Sequence, residues 1–514
     1  MNSRSLVTIA IVTLCIIGGI FAAVTIMLNP TGGIAGLSKM LTLFCIVIAF
    51  VSPKSGLFIL AAQAIFTDEF KRIGVYYGAV SMQTVQEILI GPLLTICALN
   101  AGFLVQILLG RVKIGWMGFA LYGIAPLLGI YFLQGGAVGG GDSFIKRFYN
   151  AGAAGLYATI VPLSFGLMKE FRDWVKYLSF QSILVIPSAI WGIWQYFNGF
   201  NNMEWAYALS GLSPVHSSQM LAFTDPRIFG FFGSASALGC LCGYCAFAAW
   251  RGVAIKEKRL LFILIAALLL FTLILSQQRT ALLYPFIFAG VAFFYRTKLL
   301  TLFLYMSITI AFILGVWNST WLLDEGLDKI NGAIAVEGRW GGQVLKVSTF
   351  SDRLRGWERL KRPSSWSLFG TGEELSSDAM TGSTIGSSTY SHDMINKILI
   401  KFGAVPLAII IGTVGSVLLK MHRTVWKIKD PNLRNTGAFI LGVIVPILLM
   451  SAAGGDNFTT TPFNLMIWSI FGGIFVLLRV LGNSTEVPFP GSASEFPSNN
   501  FQAPQPNLRE VTSP

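Results

Sequence analysis

The chain of 514 residues is 54% hydrophobic and only 12% charged, and it carries a formal net charge of +13. About a quarter of the residues in an ordinary soluble domain are charged, so this composition excludes a soluble enzyme. Apolar runs of about 20 residues, the length that a helix needs to cross a bilayer, recur along most of the sequence. We therefore expect an all-α, polytopic membrane protein of about 12–14 spans.

The predicted spans follow the apolar runs in chain order, and the second and third are the shortest. They cover 6–27, 39–52, 55–67, 87–106, 114–133, 150–168, 175–197, 228–250, 260–276, 280–295, 299–316, 394–419, 437–454 and 464–482. The first is interpreted as a retained helix because no convincing cleavage site follows it. Cys240, Cys242 and Cys245 lie inside an apolar run, so we expect them to pack as small residues rather than to bind a metal.

Basic residues set the expected orientation, because Lys and Arg in short loops stay on the cytoplasmic side. This rule favours cytoplasmic positions for both termini. The expected domains are transmembrane helices over 1–316, one large periplasmic loop over 317–392, C-terminal transmembrane helices over 393–482, and a disordered cytoplasmic tail over 483–514. The tail is rich in Pro, Ser and Asn, a composition typical of disordered segments. Loops as long as 317–392 are uncommon unless they are functional or disordered.

The apolar run between the basic segments 251–259 and 296–298 is interrupted only by Gln277, Gln278 and Arg279. Two basic ends on one side of a membrane require an even number of crossings, so the run predicts a helical hairpin. Arg279 then lies at the start of the descending helix, where free backbone N–H groups favour a phosphate. An alternative is an arginine that only anchors the hairpin at the membrane surface.

Two further residues are expected at outer helix ends. Arg227 closes an outer loop before a helix rich in glycine and alanine, although a local ion pair with Asp225 would also explain it. His392 ends the large loop and opens a polar first turn with Asp393. Histidine has a pKa suited to removing a hydroxyl proton, although a capping role remains open. Two guanidinium groups and one imidazole together would form a metal-free transferase centre.

These residues carry a resemblance to the bacterial O-antigen ligase and Wzy-type polysaccharide polymerase superfamily. The shared motifs are Arg227-Ile-Phe-Gly230, Ser276-Gln-Gln-Arg279, Ser351-Asp-Arg353-Leu-Arg-Gly-Trp357, Leu368-Phe-Gly370-Thr-Gly372 and His392-Asp393 with Gly403 beyond it. The resemblance covers about 228–420 well. It departs from the ligase pattern at Asp393, where ligases usually carry Asn, Ser or Gln, and at Pro406, where they carry a small residue.

The resemblance implies transfer of a glycan from a polyprenyl diphosphate to an acceptor hydroxyl, at the periplasmic face of the bacterial inner membrane. It implies no metal, cofactor, nucleotide sugar or nucleic acid partner. By this analogy Arg227 and Arg279 bind the diphosphate, and His392 activates the acceptor hydroxyl while Asp393 tunes its pKa. Arg353 and Trp357 would hold sugar or phosphate, although Trp357 could instead anchor the loop at the membrane surface.

Three functions follow from these observations. A polymerase of O-antigen or exopolysaccharide is preferred over a ligase acting on lipid A-core because the histidine motif departs from the ligase pattern. A polysaccharide or lipid transporter is the alternative of another class. Transporters tend to carry ionisable groups near the membrane midplane, whereas the middles of the predicted spans here are nearly free of them.

Overall fold

The computed structural model describes residues 30–77, 82–113, 155–209, 228–233, 235–255, 257–276, 403–454 and 461–483, together with residues 288, 368, 395, 398 and 399. Of these described residues 86% are helical and none lies in a strand, which confirms the all-α prediction for this part of the chain. Three helical segments within it are long and apolar enough to cross a membrane: Ile88–Leu108, Phe171–Asn198 and Ala404–Lys427.

The first three helices pack against one another in pairs. They are α1 (Pro30–Val51), α2 (Pro53–Tyr76) and α3 (Met82–Leu108). The break between α1 and α2 falls before Pro53, which starts α2 because proline lacks the N–H that a first helical turn leaves unused. A Cβ atom at Gly102 would overlap the carbonyl group of Phe50, so this glycine is what lets α3 approach the end of α1 closely.

The middle of the chain begins with a short 3-10 helix, Leu156–Thr159, that leads into α4 (Ile160–Leu167). Then follow α5 (Phe171–Leu184), α6 (Ile186–Asn198) and α7 (Asn202–Leu209). A turn at Val185 separates α5 from α6, where Pro187 occupies the first turn of the new helix. Gly199 ends α6 with φ of 74°, a left-handed conformation that glycine adopts without steric cost.

The remaining helices are α8 (Ala235–Leu238), α9 (Leu241–Ala254), α10 (Arg259–Leu275), α11 (Ala404–Lys427), α12 (Pro431–Gly454) and α13 (Phe463–Asn483). Helices α9 and α10 form an antiparallel hairpin, and α11, α12 and α13 pack in sequence. Helix α13 also packs on α4 and α5, so the C-terminal helices close the bundle against the middle of the chain.

Trp174 on α5 lies at the centre of this bundle and is fully buried. Its indole N–H donates a hydrogen bond of 2.9 Å to the carbonyl oxygen of Ser469 on α13. Its ring packs against Phe171, Phe247 and Trp250 with ring centroids 5.1 to 6.3 Å apart. Helix α5 is therefore held to both α9 and α13 through one side chain.

The structure corrects two predicted spans. The span predicted over 228–250 begins instead with the non-helical segment 228–233, and a regular helix starts only at Leu241. The span predicted over 394–419 is interrupted at Gly403, which has φ of 97°, so α11 covers Ala404–Lys427. In both places a glycine with positive φ lies where the predicted span is not helical. The predicted spans 6–27, 114–133 and 299–316 lie outside the described residues.

The predicted burial of the cysteine group is confirmed. Cys240, Cys242 and Cys245 are all buried in the main hydrophobic core. Cys245 additionally donates its thiol hydrogen to the carbonyl oxygen of Ala266 at 3.3 Å. The group therefore contributes to the contact between α9 and α10.

Gly473 gives a test of this core. A Cβ atom at Gly473 would overlap the indole of Trp174, so Gly473→Ala is expected to destabilise the protein by about 1–3 kcal/mol through overpacking. Gly415 on α11 is the matched control, because a Cβ there meets nothing within 4 Å and alanine favours helix by up to about 1 kcal/mol. Thermal unfolding of the purified protein measures the stability of both variants. Equal shifts in the unfolding temperature would contradict the close packing of Gly473 on Trp174.

Candidate functional site

The end of α2 is unusually charged for a helix packed inside a bundle. The run Thr67-Asp-Glu-Phe-Lys-Arg72 follows an apolar stretch. The side chains of Lys71 and Arg72 are nevertheless only 4% and 0% exposed. Basic residues are almost never fully buried unless they are paired, so the partners of these two residues define a site.

Arg72 is the centre of the site because it contacts its own helix α2, the segment 228–233 and helix α7. Its guanidinium group donates hydrogen bonds of 3.0 Å to the carbonyl oxygen of Gly230 and 2.9 Å to that of Phe232. The same group lies 3.1 Å from a carboxylate oxygen of Glu69 on its own helix. The ring of Phe229 is stacked near it, with its centroid 4.6 Å from the guanidinium carbon. Arg72 thus fixes the segment 228–233 to α2.

Glu204 on α7 is a fully buried carboxylate in the same site. One of its oxygens lies 3.8 Å from the guanidinium group of Arg72 and accepts hydrogen bonds from the indole of Trp191, at 2.6 Å, and from the amide of Gln195. The other oxygen accepts a bond of 2.7 Å from the backbone N–H of Asn201. Both carboxylate oxygens of this buried side chain therefore have hydrogen-bond donors inside the protein.

The segment 228–233, called the 228–233 loop below, has its backbone N–H groups satisfied largely by side chains. The amide oxygen of Gln195 accepts from Phe229 at 3.0 Å and from Gly230 at 2.8 Å. The hydroxyl of Ser188 accepts from Phe231 at 2.9 Å, and Asp68 accepts from Gly233 at 2.8 Å. Helices α2 and α6 therefore hold the loop at almost every residue.

The charges of the site nearly cancel. Lys71 pairs with Asp68 at 2.9 Å. Burial opposes the charged form of Lys71, but Asp68 and the oxygen of Tyr207 outweigh it and raise the lysine pKa. Burial raises the pKa of Glu69, against the attraction of Arg72. Because the two cations are paired with carboxylates inside the protein, this cluster holds the loop rather than offering free positive charge to a ligand.

Helix α10 also contacts α6 beside the 228–233 loop. A Cβ atom at Gly192 would lie 3.3 Å from a side-chain carbon of Thr272, 3.5 Å from one of Ile228 and 3.9 Å from the backbone of Gly230. The hydroxyl of Thr272 also contacts the carbonyl oxygen of Ala189 at 3.3 Å. The 228–233 loop and the last turn of α10 therefore flank one short stretch of α6.

The six residues predicted as the site lie outside the described residues. They are Arg227, Arg279, Arg353, Trp357, His392 and Asp393. The described residues beside them are Ile228, which follows Arg227, and Ser276, which stands three positions before Arg279 and is fully buried. Ile228 and the Thr272 side chain on α10 both lie beside Gly192 of α6, and the predicted site itself stays a prediction.

A further contact links two of the sequence motifs. The carbonyl oxygen of Leu368, from the predicted large loop, accepts a hydrogen bond of 3.1 Å from the backbone N–H of Val405 at the start of α11. Residues 395, 398 and 399 are helical, and the N–H of Gly403 donates to the carbonyl oxygen of Leu399 at 3.0 Å. Leu368 and the region that follows the histidine motif therefore meet at one helix start.

Sequence reasoning missed Arg72, Glu204, Gln195 and Lys71. A signal was present, because four charged residues within five positions end an apolar run at 68–72. The span predicted over 55–67 stops before Lys71 and Arg72. That span is too short, since α2 continues to Tyr76 and carries these charges on a packed helix.

Within the described ranges no group of three or more His, Cys, Asp or Glu side chains is arranged to hold a metal ion. No protein-family model, curated protein or solved structure matches the chain.

Proposed function

We propose that this chain is a polytopic membrane glycosyltransferase of the bacterial inner membrane. It would move a glycan from a polyprenyl diphosphate carrier to an acceptor hydroxyl at the periplasmic face, most directly as an O-antigen or exopolysaccharide polymerase. The composition, the three apolar helices of membrane-crossing length and the resemblance of the motifs over about 228–420 support this proposal.

One observation carries the proposal. The residue that follows Arg227 and the last turns of the helix that leads to Arg279 pack against the same glycine, Gly192. In the sequence, Arg227 directly precedes Ile228 and Arg279 follows Ser276 by three positions, which supports a pairing of the two arginines. A diphosphate needs such a pair, because two guanidinium groups can neutralise and hydrogen-bond both phosphates.

The chemistry is a single displacement at the anomeric carbon. The acceptor oxygen forms the new glycosidic bond as the bond between the anomeric carbon and the diphosphate oxygen breaks, and the hydroxyl proton passes to His392. The polyprenyl diphosphate leaves with the bonding electron pair, and Arg227 and Arg279 stabilise its growing charge. Asp393 or a nearby carboxylate would tune the pKa of the imidazole, and configuration inverts at the anomeric carbon.

The large loop over 317–392 would cover the reacting groups, with Arg353 and Trp357 on sugar or phosphate. The hydrogen bond between Leu368 and Val405 supports this role, because it ties part of that loop to the helix start that follows His392 and Asp393. Membrane lipids and the acceptor glycan or lipid are the other partners, and both termini would face the cytoplasm.

A transporter of polysaccharide or lipid remains the second candidate, and the buried pair Lys71 and Arg72 is the observation that favours it. Buried ionisable residues on membrane helices often mark a transport path. Both residues lie in the last two turns of α2, however, and both are paired with carboxylates inside the protein. This arrangement fits a fixed support for the 228–233 loop better than a transport path.

The test is complementation of a strain that lacks the gene, with His392→Ala, Arg279→Ala and Arg227→Ala. Each variant is expected to lower glycan assembly by at least about a hundredfold, because removing a single donor to a developing oxyanion costs about 10²–10³ in rate. Arg111→Ala is the matched control, since Arg111 is exposed. Membrane abundance of every variant is measured by immunoblot.

Glycan profiles of the deletion strain separate the candidates. Loss of a polymerase leaves single repeats on the acceptor, whereas loss of a ligase leaves long chains on the polyprenyl carrier. Unlinked repeats that accumulate on the cytoplasmic side would support transport instead. Wild-type glycan from His392→Ala would contradict the role proposed for that residue.

A further inference from the structure

Helix α11 differs from the rest of the bundle in how little of it is covered. Only 11% of its apolar 18-residue stretch is buried. In each of the other two helical segments of membrane-crossing length, half of the corresponding stretch is buried. Val405, Ile409 and Ile411 are exposed along it. Over most of its length, one side of α11 is therefore left uncovered by the described residues.

The C-terminal half of this exposed side carries a groove with a volume of about 460 Å³. It is lined by Ser416, Leu419, Lys420, Arg423, Thr424 and Lys427. Positions 416, 420, 423 and 427 are spaced three or four apart, which places them on one face of a helix. The groove thus combines three cations with one apolar side chain.

The cations of the groove have no acidic partner in the part of the chain that the structure describes. Within the described residues, Lys420, Arg423 and Lys427 form no ion pair with an acidic side chain, and no acidic residue lines the groove. The hydroxyls of Ser416 and Thr424 donate to carbonyl oxygens of their own helix, each at 2.8 Å. Donors to an anion would therefore come from the two lysines and the arginine.

An apolar stripe continues from the groove along the same face. Val405, Ile409, Gly412 and Leu419 follow one another at helical spacing, and a Cβ atom at Gly412 would meet nothing within 4 Å. Ile409 lies about 16 Å from Lys420 along the helix axis at 1.5 Å per residue. This matches one half of a hydrocarbon core of about 30 Å, the depth that one acyl chain occupies.

We propose that the groove formed by Lys420, Arg423 and Lys427 binds the headgroup phosphate of an anionic diacyl phospholipid. One acyl chain of this lipid lies on the stripe Val405, Ile409, Gly412 and Leu419. Charge complementarity selects the headgroup, because the groove gathers three cations with no carboxylate. The adjoining apolar stripe selects a lipid over a soluble anion. This site is independent of the glycosyl transfer proposed above.

The test measures lipid affinity of the full-length protein by native mass spectrometry, with dioleoyl phosphatidylglycerol and dioleoyl phosphatidylcholine as probes. The wild-type protein is expected to retain phosphatidylglycerol in preference to phosphatidylcholine. The triple variant K420Q/R423Q/K427Q is expected to bind phosphatidylglycerol on the order of 100-fold more weakly. The reason is that each basic residue near a lipid surface contributes a factor of about tenfold or less to the affinity.

The matched control removes the same charge elsewhere. Arg111, Lys113 and Lys169 are exposed and do not line the groove, so R111Q/K113Q/K169Q should bind phosphatidylglycerol as the wild type does. Arg423→Lys, which preserves charge, should also retain the preference. Equal affinities of the groove variant and the control for phosphatidylglycerol would overturn the proposal.

Two further measurements separate a lipid from a simple anion. Gly412→Trp fills the stripe without changing charge, so it should weaken phosphatidylglycerol binding severalfold. Inorganic phosphate at millimolar concentration should leave the bound lipid in place, because the acyl contacts contribute to its affinity. Complete displacement by phosphate, or an unaltered affinity in Gly412→Trp, would overturn the assignment to a lipid.

Discussion

Arg72→Leu is expected to destabilise the protein by about 3–5 kcal/mol, the range measured when one partner of a buried charge pair is removed. The variant leaves Glu204 buried without its nearest cation, since the two side chains are 3.8 Å apart and neither is exposed. It also removes the donors to the carbonyl oxygens of Gly230 and Phe232. Thermal or denaturant unfolding in detergent, followed by tryptophan fluorescence, measures the loss.

Two companion variants test whether the buried carboxylate causes this loss. Glu204→Gln in the Arg72→Leu background should recover part of the stability, because it removes the uncompensated charge. Arg72→Lys should lie between wild type and Arg72→Leu, since a lysine keeps the charge but cannot donate along both directions of the planar guanidinium group. If the double variant recovers no stability, the loss in Arg72→Leu does not come from the unpaired carboxylate of Glu204.

Gly230→Ala is expected to have the second large effect, about 2–5 kcal/mol. Gly230 has φ of 59°, and a left-handed conformation costs about 1–2 kcal/mol for a residue with a Cβ atom. That Cβ would also lie 2.5 Å from both the carbonyl oxygen and the hydroxyl of Ser188, and overpacking of this kind adds about 1–3 kcal/mol. The loop would have to leave its bonds to Arg72 and Gln195.

Gly110→Ala is the matched control for this prediction. Gly110 has φ of 69° in the turn after α3, where the N–H of Arg111 donates to the carbonyl oxygen of Gln106, and a Cβ there meets nothing within 4 Å, so the variant isolates the backbone cost. The difference in unfolding free energy between the two variants then reports the contact with Ser188. Under the proposed function, Gly230→Ala should also lower glycan assembly at equal protein abundance, because it moves the residues that follow Arg227. Similar losses of stability in both variants would contradict the close packing of the loop on α6.

The all-α class could be predicted from the sequence because a chain that crosses a membrane needs long apolar runs. Its backbone N–H and C=O groups must also be hydrogen-bonded to each other, as they are in a helix. The predicted spans 260–276 and 464–482 agree closely with α10 and α13, since basic or polar residues bound both runs. Span ends were predicted less well where the helix continues past its apolar residues. Helix α2 extends nine residues beyond the predicted end at Thr67 because its charged end is buried by partners distant in sequence.

The breaks at Gly230 and Gly403 were also not predicted. Both glycines lie in segments whose composition reads as continuous helix, and their positive φ values arise from contacts outside those segments. Ser188 and Gln195 hold the first. At the second, the N–H of Val405 is bonded to Leu368. A run of small residues permits such a turn without requiring it.

Composition and pattern alone determined that this is a helical protein with segments of membrane-crossing length. They also selected Arg227, Arg279 and His392 as a hypothesis, which stays a prediction. Only the tertiary structure decided that Arg72, Gln195 and Glu204 hold the chain after Arg227, and that α10 ends beside it. The reason is that a buried charge is stable only beside its partners, and Arg72 meets Glu204 and the carbonyl oxygens of Gly230 and Phe232 from more than a hundred residues away in the sequence.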